Sequence, residues 1–241
     1  MPKTSVLQSL DIPVPPADIR YRIVSSQIDE KFFLDSGREC ASGIIQVLHA
    51  ADIDARQFRN ILDFGCGCSR VLRFLIPFLP EARFDGCDID SVAIAWSTQN
   101  VPAAKYSLVP HLPPTAYPAG QFDFIYGLSV FTHLDLPRQV LWLDELHRML
   151  RTDGYLLLTV QGAMAFDLVK DTLTKQQKAD FDTIGYLFLE NISDKVLPEW
   201  YQTAIYKEHF ARLVFKSGFS VLRYDQGDLA GHQDLLLLQK K

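Results

Sequence analysis

From residue 60 onwards, segments typical of β-strands alternate with segments that have helical periodicity. Strands are predicted at 60–64, 83–88, 104–109, 122–128, 154–160, 219–224 and 233–239, and helices at 69–79, 91–99, 137–150 and 207–217. Several strands, such as "FDFIYGL" and "YLLLTV", are apolar along most of their length, as is typical of strands covered on both faces. This alternation predicts an α/β fold with a parallel sheet and helices on both of its faces.

The end of the chain departs from this alternation. Its last two predicted strands are joined by about eight turn-rich residues, whereas parallel neighbours need roughly a dozen or more connecting residues. We therefore expect these two strands to pair antiparallel. The predicted fold is Rossmann-like, with a seven-stranded, mostly parallel sheet and an antiparallel C-terminal hairpin strand.

Two segments have no place in the predicted sheet. Residues 17–53 have helical periodicity, and a long connection rich in aromatic residues separates the fifth strand from the sixth. Long connections in compact domains are often lids or binding segments. We predict an N-terminal extension over 1–54 and a main domain over 55–241 with an insertion at about 162–206. Segments 17–40 and 162–206 are expected to enclose a ligand pocket.

Composition argues against several classes of protein. The 241 residues, 48% of them hydrophobic, are enough to bury a full core. The net charge of -5 argues against a nucleic-acid partner, because a sequence-independent phosphate binder is expected to be basic. No signal peptide is visible and no apolar run approaches ~18 residues, so no membrane partner is predicted. The four cysteines form no CxxC pair and suggest reduced thiols in a cytoplasmic protein, with no metal site.

The stretch "ILDFGCGCSRVLRFL", residues 61–75, joins the first predicted strand to the first helix. Gly65 and Gly67 fall in the turn between them, and ligands in open α/β sheets bind beyond such strand ends. Glycine has no Cβ, so the backbone can approach a ligand closely. Exposed N–H groups at the start of a helix favour an anionic group. We expect Ser69 to cap this helix.

A second signal lies at the end of the second predicted strand. The stretch "FDGCDID" places Asp88 there, 21 residues after Gly67. A carboxylate in this position can accept hydrogen bonds from both hydroxyls of a ribose. The alternative is a solvated acid in a turn. Asp90, two residues on, is predicted to cap the helix at 91–99.

The glycine turn, the acid after the second strand and the terminal hairpin together resemble the class I S-adenosylmethionine-dependent methyltransferases, and in particular a bacterial small-molecule subgroup. The matching stretches are "LDFGCGC", "GCDID", "QFDFIYGLSVFTHL", "LRTDGYLLLT" and "GHQDLLLLQK". The resemblance implies that Asp63 and the glycine turn hold the methionine end of S-adenosylmethionine and that Asp88 holds its ribose. Ser69 stands where relatives often have a third glycine, and "SLVPHLPP" lacks the acid that many have after the third strand.

The residues predicted to bind the cofactor follow from these motifs. They are Arg38, Asp63, Gly65, Cys66, Gly67, Asp88, Ile89, Val109, Gly127, Leu128 and Ser129. Asp63 is expected to orient the cofactor's ammonium group, and the alternative is an aspartate that only caps the turn. Arg38 is included because an N-terminal basic residue meets the cofactor carboxylate in some relatives, and the alternative is a solvated arginine. Apolar contact near Val109 is expected for the adenine.

His133 is the candidate catalytic residue. It follows the fourth strand, and a histidine with a near-neutral pKa can remove a proton from an oxygen or nitrogen nucleophile. The alternative is a structural histidine that bonds to loop backbone. The aromatic stretch "EWYQTAIYKEHF" could line a substrate pocket, although packing is the simpler interpretation.

The predicted function is methyl transfer from S-adenosylmethionine to a small-molecule acceptor, in which catalysis comes mainly from alignment of the reacting groups. A nicotinamide dehydrogenase is a weaker alternative, because it would want a glycine where Arg70 stands and would not explain the terminal hairpin. A non-catalytic module that binds S-adenosylmethionine is also compatible with the motifs. Neither composition nor spacing identifies the acceptor.

Overall fold

A computed structural model describes residues 7–24, 29–190, 202–229 and 233–241. The described residues divide into two compact units, the first within 1–111 and 122–126 and the second within 112–121 and 127–241. The predicted domain boundary after residue 54 is a different division of the chain and stays a prediction. None of the described helices is long and apolar enough to cross a membrane.

The first unit is built on a parallel sheet. Its helices are α1 (Ala17–Val24), α2 (Glu30–Ala50), α3 (Leu72–Phe78) and α4 (Ser91–Asn100), and its strands are β1 (Asn60–Phe64), β2 (Arg83–Asp88), β3 (Ala104–Leu108) and β4 (Phe122–Gly127, the last residue lying in the second unit). The strand order is β3-β2-β1-β4, and each neighbouring pair is parallel. β4 is buried along its whole length, and its one charged residue, Asp123, accepts hydrogen bonds from the N–H groups of Arg59 and Asn60 at 2.5 and 2.7 Å. Phe64 lies opposite Cys87, so β1 and β2 end side by side.

The helix after the glycine turn begins later than predicted. α3 begins at Leu72, and its N-cap residue, Val71, makes no side-chain cap hydrogen bond. Ser69 has a φ of 62°, a left-handed conformation that a right-handed helix does not include. Its hydroxyl forms hydrogen bonds with the hydroxyls of Ser97 and Tyr106, at 3.0 and 2.7 Å. The prediction that Ser69 caps this helix is therefore wrong.

The second unit contains the terminal hairpin. Its helices are α5 (Leu136–Met149), α6 (Ala163–Val169), α7 (Lys175–Ile184) and α8 (Glu208–Phe215), and its strands are β5 (Leu150–Gln161), β6 (Tyr186–Leu189), β7 (Thr203–Tyr206), β8 (Phe219–Leu229) and β9 (Gln233–Lys240). β9 pairs antiparallel with both β8 and β5, which confirms the predicted antiparallel hairpin. β7 pairs parallel with β5 and antiparallel with β6.

The predicted fold class is confirmed, and all seven predicted strands are present. The described residues of the two units contain nine strands, because β6 and β7 lie inside the predicted insertion. Each of these two strands has only four residues, too few for a clear periodicity. β6 pairs with β7, and β7 also pairs with the end of β5, at Gln161. The insertion is therefore partly an extension of the sheet.

Candidate functional site

The glycine turn lies at the joined ends of β1 and β2. Gly65 and Gly67 have φ angles of 80° and 50°, in the left-handed region that favours glycine. The N–H groups of Gly65 and Cys66 both donate to the carbonyl oxygen of Cys87, at 2.8 and 3.0 Å. The turn is thus tied to the end of β2. Cys66 is buried, and burial raises the pKa of its thiol well above the ordinary value, so the thiol is neutral.

Helix α1 packs directly on this turn. A Cβ atom on Gly67 would lie 2.4 Å from Cδ1 of Ile23, so the close approach depends on glycine. The neighbouring Arg22 donates two hydrogen bonds to the carboxylate of Asp90, at 2.6 and 2.9 Å. Asp90 also caps α4 by accepting from the N–H of Val92 at 3.0 Å, as predicted. The ion pair therefore holds α1 against the start of α4.

Asp88 ends β2 with its carboxylate fixed by backbone donors. Oδ2 accepts from the N–H of Gly67 at 2.7 Å, and Oδ1 accepts from the N–H of Asp90 at 2.9 Å. Burial raises the pKa of Asp88, and these hydrogen bonds oppose the rise. Its carbonyl oxygen accepts from the N–H of Val109 at 3.0 Å, which brings Val109 beside the end of β2. A carboxylate has about four acceptor sites, so Asp88 keeps acceptor capacity for a ligand hydroxyl beside these backbone donors.

Asp63, near the end of β1, is almost fully buried. Its Oδ2 accepts from the hydroxyl of Tyr126 on β4, at 2.8 Å. Burial raises the pKa of Asp63 to about 7, the negative charge of Asp88 adds to the rise, and the Tyr126 hydrogen bond opposes it. Sequence reasoning missed Tyr126. The register of the parallel strands, in which Tyr126 is the direct neighbour of Asp63, is the signal that finds it.

Arg38 lies within α2. Its guanidinium donates to the Asp35 carboxylate at 2.8 Å and to the Leu7 carbonyl oxygen at 3.3 Å. It also lies 5.2 Å from the ring centroid of Phe74. The predicted role at the cofactor carboxylate would require Arg38 to exchange some of these contacts.

Seven predicted cofactor residues come together at the ends of β1, β2 and β3 in the first unit. They are Asp63, Gly65, Cys66, Gly67, Asp88, Ile89 and Val109. Gly127, at the end of β4, and the predicted residues that follow it, Leu128, Ser129 and His133, belong to the second unit.

Ser129 is held by a closed set of hydrogen bonds. Its N–H donates to the hydroxyl oxygen of Thr159 at 2.8 Å, and that hydroxyl donates to the side-chain oxygen of Gln233 at 2.6 Å. The Gln233 amide donates back to the hydroxyl of Ser129 at 2.8 Å. Ser129 has a φ of 62°, so these bonds hold a left-handed conformation that a serine rarely adopts. They fix the loop that Gly127 and Leu128 begin.

His133 has a backbone partner in the second unit. Its Nδ1 lies 3.1 Å from the carbonyl oxygen of Gln202. A carbonyl oxygen only accepts, so Nδ1 carries the proton and Nε2 keeps its lone pair. Burial lowers the pKa of His133, and the Gln202 bond opposes the fall. The imidazole is therefore neutral at pH 7 and has the protonation state that a base needs.

The predicted aromatic cluster is only partly described. Tyr206 is buried on β7 and forms a hydrogen bond with Gln139, and its ring centroid is 6.2 Å from that of Phe210. These contacts agree with a packing role. Trp200 and Tyr201 lie outside the described residues.

A family model described as a methyltransferase domain matches residues 62–156, which include the glycine turn, Asp88 and His133. Malonyl-[acyl-carrier protein] O-methyltransferase of Halalkalibacterium halodurans is 27% identical to this chain over 145 residues, 56% of the chain and 51% of that protein. The chain thus spans about half the length of this curated relative.

Solved structures with the same fold cover nearly the whole chain. One protein of Pyrococcus horikoshii matches with a TM-score of 0.61 and 14% identity, over 92% of this chain and 98% of that one. Magnesium protoporphyrin IX methyltransferase of Synechocystis, solved with bound SAH, matches with a TM-score of 0.60 and 16% identity, over 93% and 94%. At these identities the likeness shows the fold alone. Residues 62–156 of the chain thus match a methyltransferase domain, and the chain shares its fold with solved proteins that include a methyltransferase.

Proposed function

We propose that the chain binds S-adenosylmethionine at the glycine turn of its first unit and transfers the methyl group to a small-molecule acceptor in the cytoplasm. The observation that supports this most is a pair of carboxylates. Asp63 and Asp88 lie on adjacent parallel strands, beside a turn in which Gly65 and Gly67 have positive φ angles. Two carboxylates so placed can bind two separate parts of one ligand, a ribose at Asp88 and an ammonium group at Asp63.

The chain's own residues would mainly bind and orient. Asp88 accepts from the two ribose hydroxyls, Asp63 faces the ammonium group, and Val109 offers apolar contact to the adenine. The cofactor, when bound, supplies a methyl group already activated on a sulfonium sulfur, so alignment with the acceptor needs little covalent assistance. Gly127, Leu128 and Ser129 stay predicted cofactor contacts. The predicted enclosure by segments 17–40 and 162–206 also stays a prediction.

His133 is proposed as the base for a protonated acceptor. The bond between its Nδ1 and the carbonyl oxygen of Gln202 leaves Nε2 able to take a proton, and the same bond is the contact expected of the structural alternative. An acceptor whose nucleophile carries no proton would not need it.

Binding of S-adenosylhomocysteine tests the cofactor directly. We expect this product to raise the melting temperature of the wild-type protein, because a ligand that binds only the native state stabilises it, and we expect NADH to have no effect. A screen of small-molecule acceptors should then convert S-adenosylmethionine to S-adenosylhomocysteine. A melting temperature that responds to NADH and not to S-adenosylhomocysteine would contradict the proposal. Binding without turnover on any acceptor would favour the non-catalytic module.

The raised pKa of Asp63 predicts a pH-dependent affinity. Above pH about 7 the carboxylate is already charged in the free protein, so affinity for the ammonium group is at its full value. Below that pH, binding must first release a proton, and affinity should fall by up to about tenfold per pH unit until the lower pKa of the complex is reached. Calorimetry with S-adenosylhomocysteine between pH 5.5 and 8 measures this. The Asp63→Asn variant, which can still accept from Tyr126, should bind weakly and with a flatter profile. A wild-type profile in this variant would exclude Asp63 as the titrating group.

A further inference from the structure

A buried glutamine on α5, Gln139, holds the loop that carries His133. Its Nε2 donates to the carbonyl oxygens of Phe131 and Leu134, at 2.9 and 2.8 Å. These two residues lie at the start of a short 3₁₀ helix, Phe131–His133, and directly after it. A carbonyl oxygen only accepts, so the two bonds use both N–H donors of the amide and fix the orientation of the amide group.

The oxygen of the same amide is bonded from β7. The hydroxyl of Tyr206, the last residue of β7, donates to Oε1 of Gln139. The side chains of Gln139 and Tyr206 are both buried, and the ring centroid of Phe215 lies 6.0 Å from that of Tyr206 and 5.6 Å from that of Phe131. Hydrogen bonds in such apolar surroundings are stronger than in water, and the loss of one partner leaves a buried polar group unpaired.

β7 is therefore connected to His133 in two places. Nδ1 of His133 bonds to the carbonyl oxygen of Gln202, the residue directly before β7. The backbone of the loop is connected to the other end of the strand through Gln139 and Tyr206. The strand itself is fixed by its pairing with β5 and β6. The amide of Gln139 thus sets how far the imidazole of His133 lies from its acceptor.

Neighbouring polar side chains make different connections. The hydroxyl of Thr132 donates to the carbonyl oxygen of Ser129 at 2.7 Å, which connects the loop to itself and not to β7. Arg138 donates to the side-chain oxygen of Gln202 at 3.4 Å, so it does not hold the carbonyl group to which His133 bonds. Gln139 is thus the residue of α5 whose hydrogen bonds join the loop to β7.

We propose that Gln139 is a positioning residue for methyl transfer, which holds His133 so that Nδ1 keeps its proton toward Gln202 and Nε2 keeps the lone pair that a base needs. This inference rests on the proposed function, in which His133 is the base. A neutral histidine whose Nδ1 has no fixed acceptor populates both tautomers, and the tautomer with its proton on Nε2 cannot accept another there. Gln139 would act through the tautomer and the position of His133, without contact with either substrate.

NMR of the imidazole nitrogens tests this role without an acceptor. In protein with isotope-labelled histidine at pH 8, where burial keeps the imidazole neutral, wild-type His133 should carry its proton on Nδ1, and His133→Asn assigns its signals. Gln139→Leu, which nearly keeps the size of the side chain and removes the amide, should place the proton on Nε2 in a measurable fraction of the molecules. Tyr206→Phe, which removes only the hydroxyl, should shift the tautomers in the same direction and to a smaller extent.

Turnover is the second measurement, once an acceptor with a protonated nucleophile is known. Gln139→Leu should lower kcat by about tenfold or more and leave the affinity for S-adenosylhomocysteine unchanged, because a misplaced base affects only the chemical step. Gln239→Leu is the matched control. It removes an amide that donates to the carbonyl oxygen of Asp153 at 3.4 Å, near the start of β5, and it should keep the wild-type tautomer and turnover.

Melting temperatures of the variants check folding, and if Gln139→Leu does not fold, Tyr206→Phe decides. A folded Gln139→Leu variant that keeps the proton fully on Nδ1 would overturn the proposal and make Gln139 a packing residue, as would a wild-type His133 protonated on Nε2. Unchanged turnover in a variant whose tautomer has shifted would overturn the role in methyl transfer. A wild-type protein that does not bind S-adenosylhomocysteine would contradict the proposed function, whereas the tautomer measurement would still decide whether Gln139 holds His133.

Discussion

Replacement of Asp88 by alanine is expected to weaken the binding of S-adenosylhomocysteine by about 2–4 kcal/mol, a loss of roughly 30-fold to several hundredfold. The carboxylate is fixed by the N–H groups of Gly67 and Asp90, so it is already oriented before the ligand arrives. A charge-assisted hydrogen bond contributes about 1.5–3 kcal/mol, and the two bonds to the ribose hydroxyls share one carboxylate, so their losses are expected to add only in part. Calorimetry at pH 8 measures the effect.

The control for this variant lies on the same strand. Asp85→Ala removes an acid from β2 three residues before Asp88, away from the carboxyl end, and should leave the affinity unchanged. Because Asp88→Ala also frees the N–H of Gly67, its unliganded melting temperature should be compared with that of the wild type. Wild-type affinity in a folded Asp88→Ala variant would rule out Asp88 as the ribose acceptor.

Replacement of His133 by asparagine is expected to lower turnover by about 100-fold or more once an acceptor with a protonated nucleophile is known. Affinity for S-adenosylhomocysteine should be nearly unchanged, because His133 is proposed to act on the acceptor. The wild-type rate should fall as the imidazole becomes protonated. Burial lowers the pKa of His133, so this acidic limb should lie below pH 6.5, and the variant should lack it.

His147 provides a matched control in the same unit. Burial lowers the pKa of His147 as well, and its ring packs edge-on against Phe219, with centroids 5.2 Å apart. His147→Asn should therefore keep the acidic limb of the pH–rate profile even if it loses some stability. An acidic limb that persists in His133→Asn would make His133 a structural residue that only bonds to the backbone of Gln202.

The sequence predicted those features best that depend on a single type of residue at a given position. Apolar runs predicted the buried strands, and Gly65 and Gly67 were predicted in a turn where the structure indeed has positive φ angles. Ser69 shows the limit of such reasoning. Its serine suggested a helix cap, whereas its position requires the left-handed conformation that a third glycine would favour, and α3 begins three residues later.

Contacts between distant segments were not predictable from composition or spacing. Tyr126 is the neighbour of Asp63 only because of the register between β1 and β4. Ile23 packs on Gly67 because α1 returns over the turn, and no local pattern encodes that return. Arg70 was noted only as a departure from a dinucleotide motif, since the burial of its Nε without a hydrogen-bond partner among the described residues becomes visible only when its neighbours are placed.

A crystal structure with bound S-adenosylhomocysteine tests the central claim most directly. We expect the two ribose hydroxyls within about 3 Å of the Asp88 carboxylate oxygens and the amino group within hydrogen-bond reach of Asp63, directly or through one water. The ligand should lie beside Gly65, and because Ile23 packs on Gly67, a ligand that also covers Gly67 would have to displace the Ile23 side chain. A saturated crystal in which the ligand binds elsewhere, or binds at the turn with its ribose away from Asp88, would contradict the proposed cofactor site.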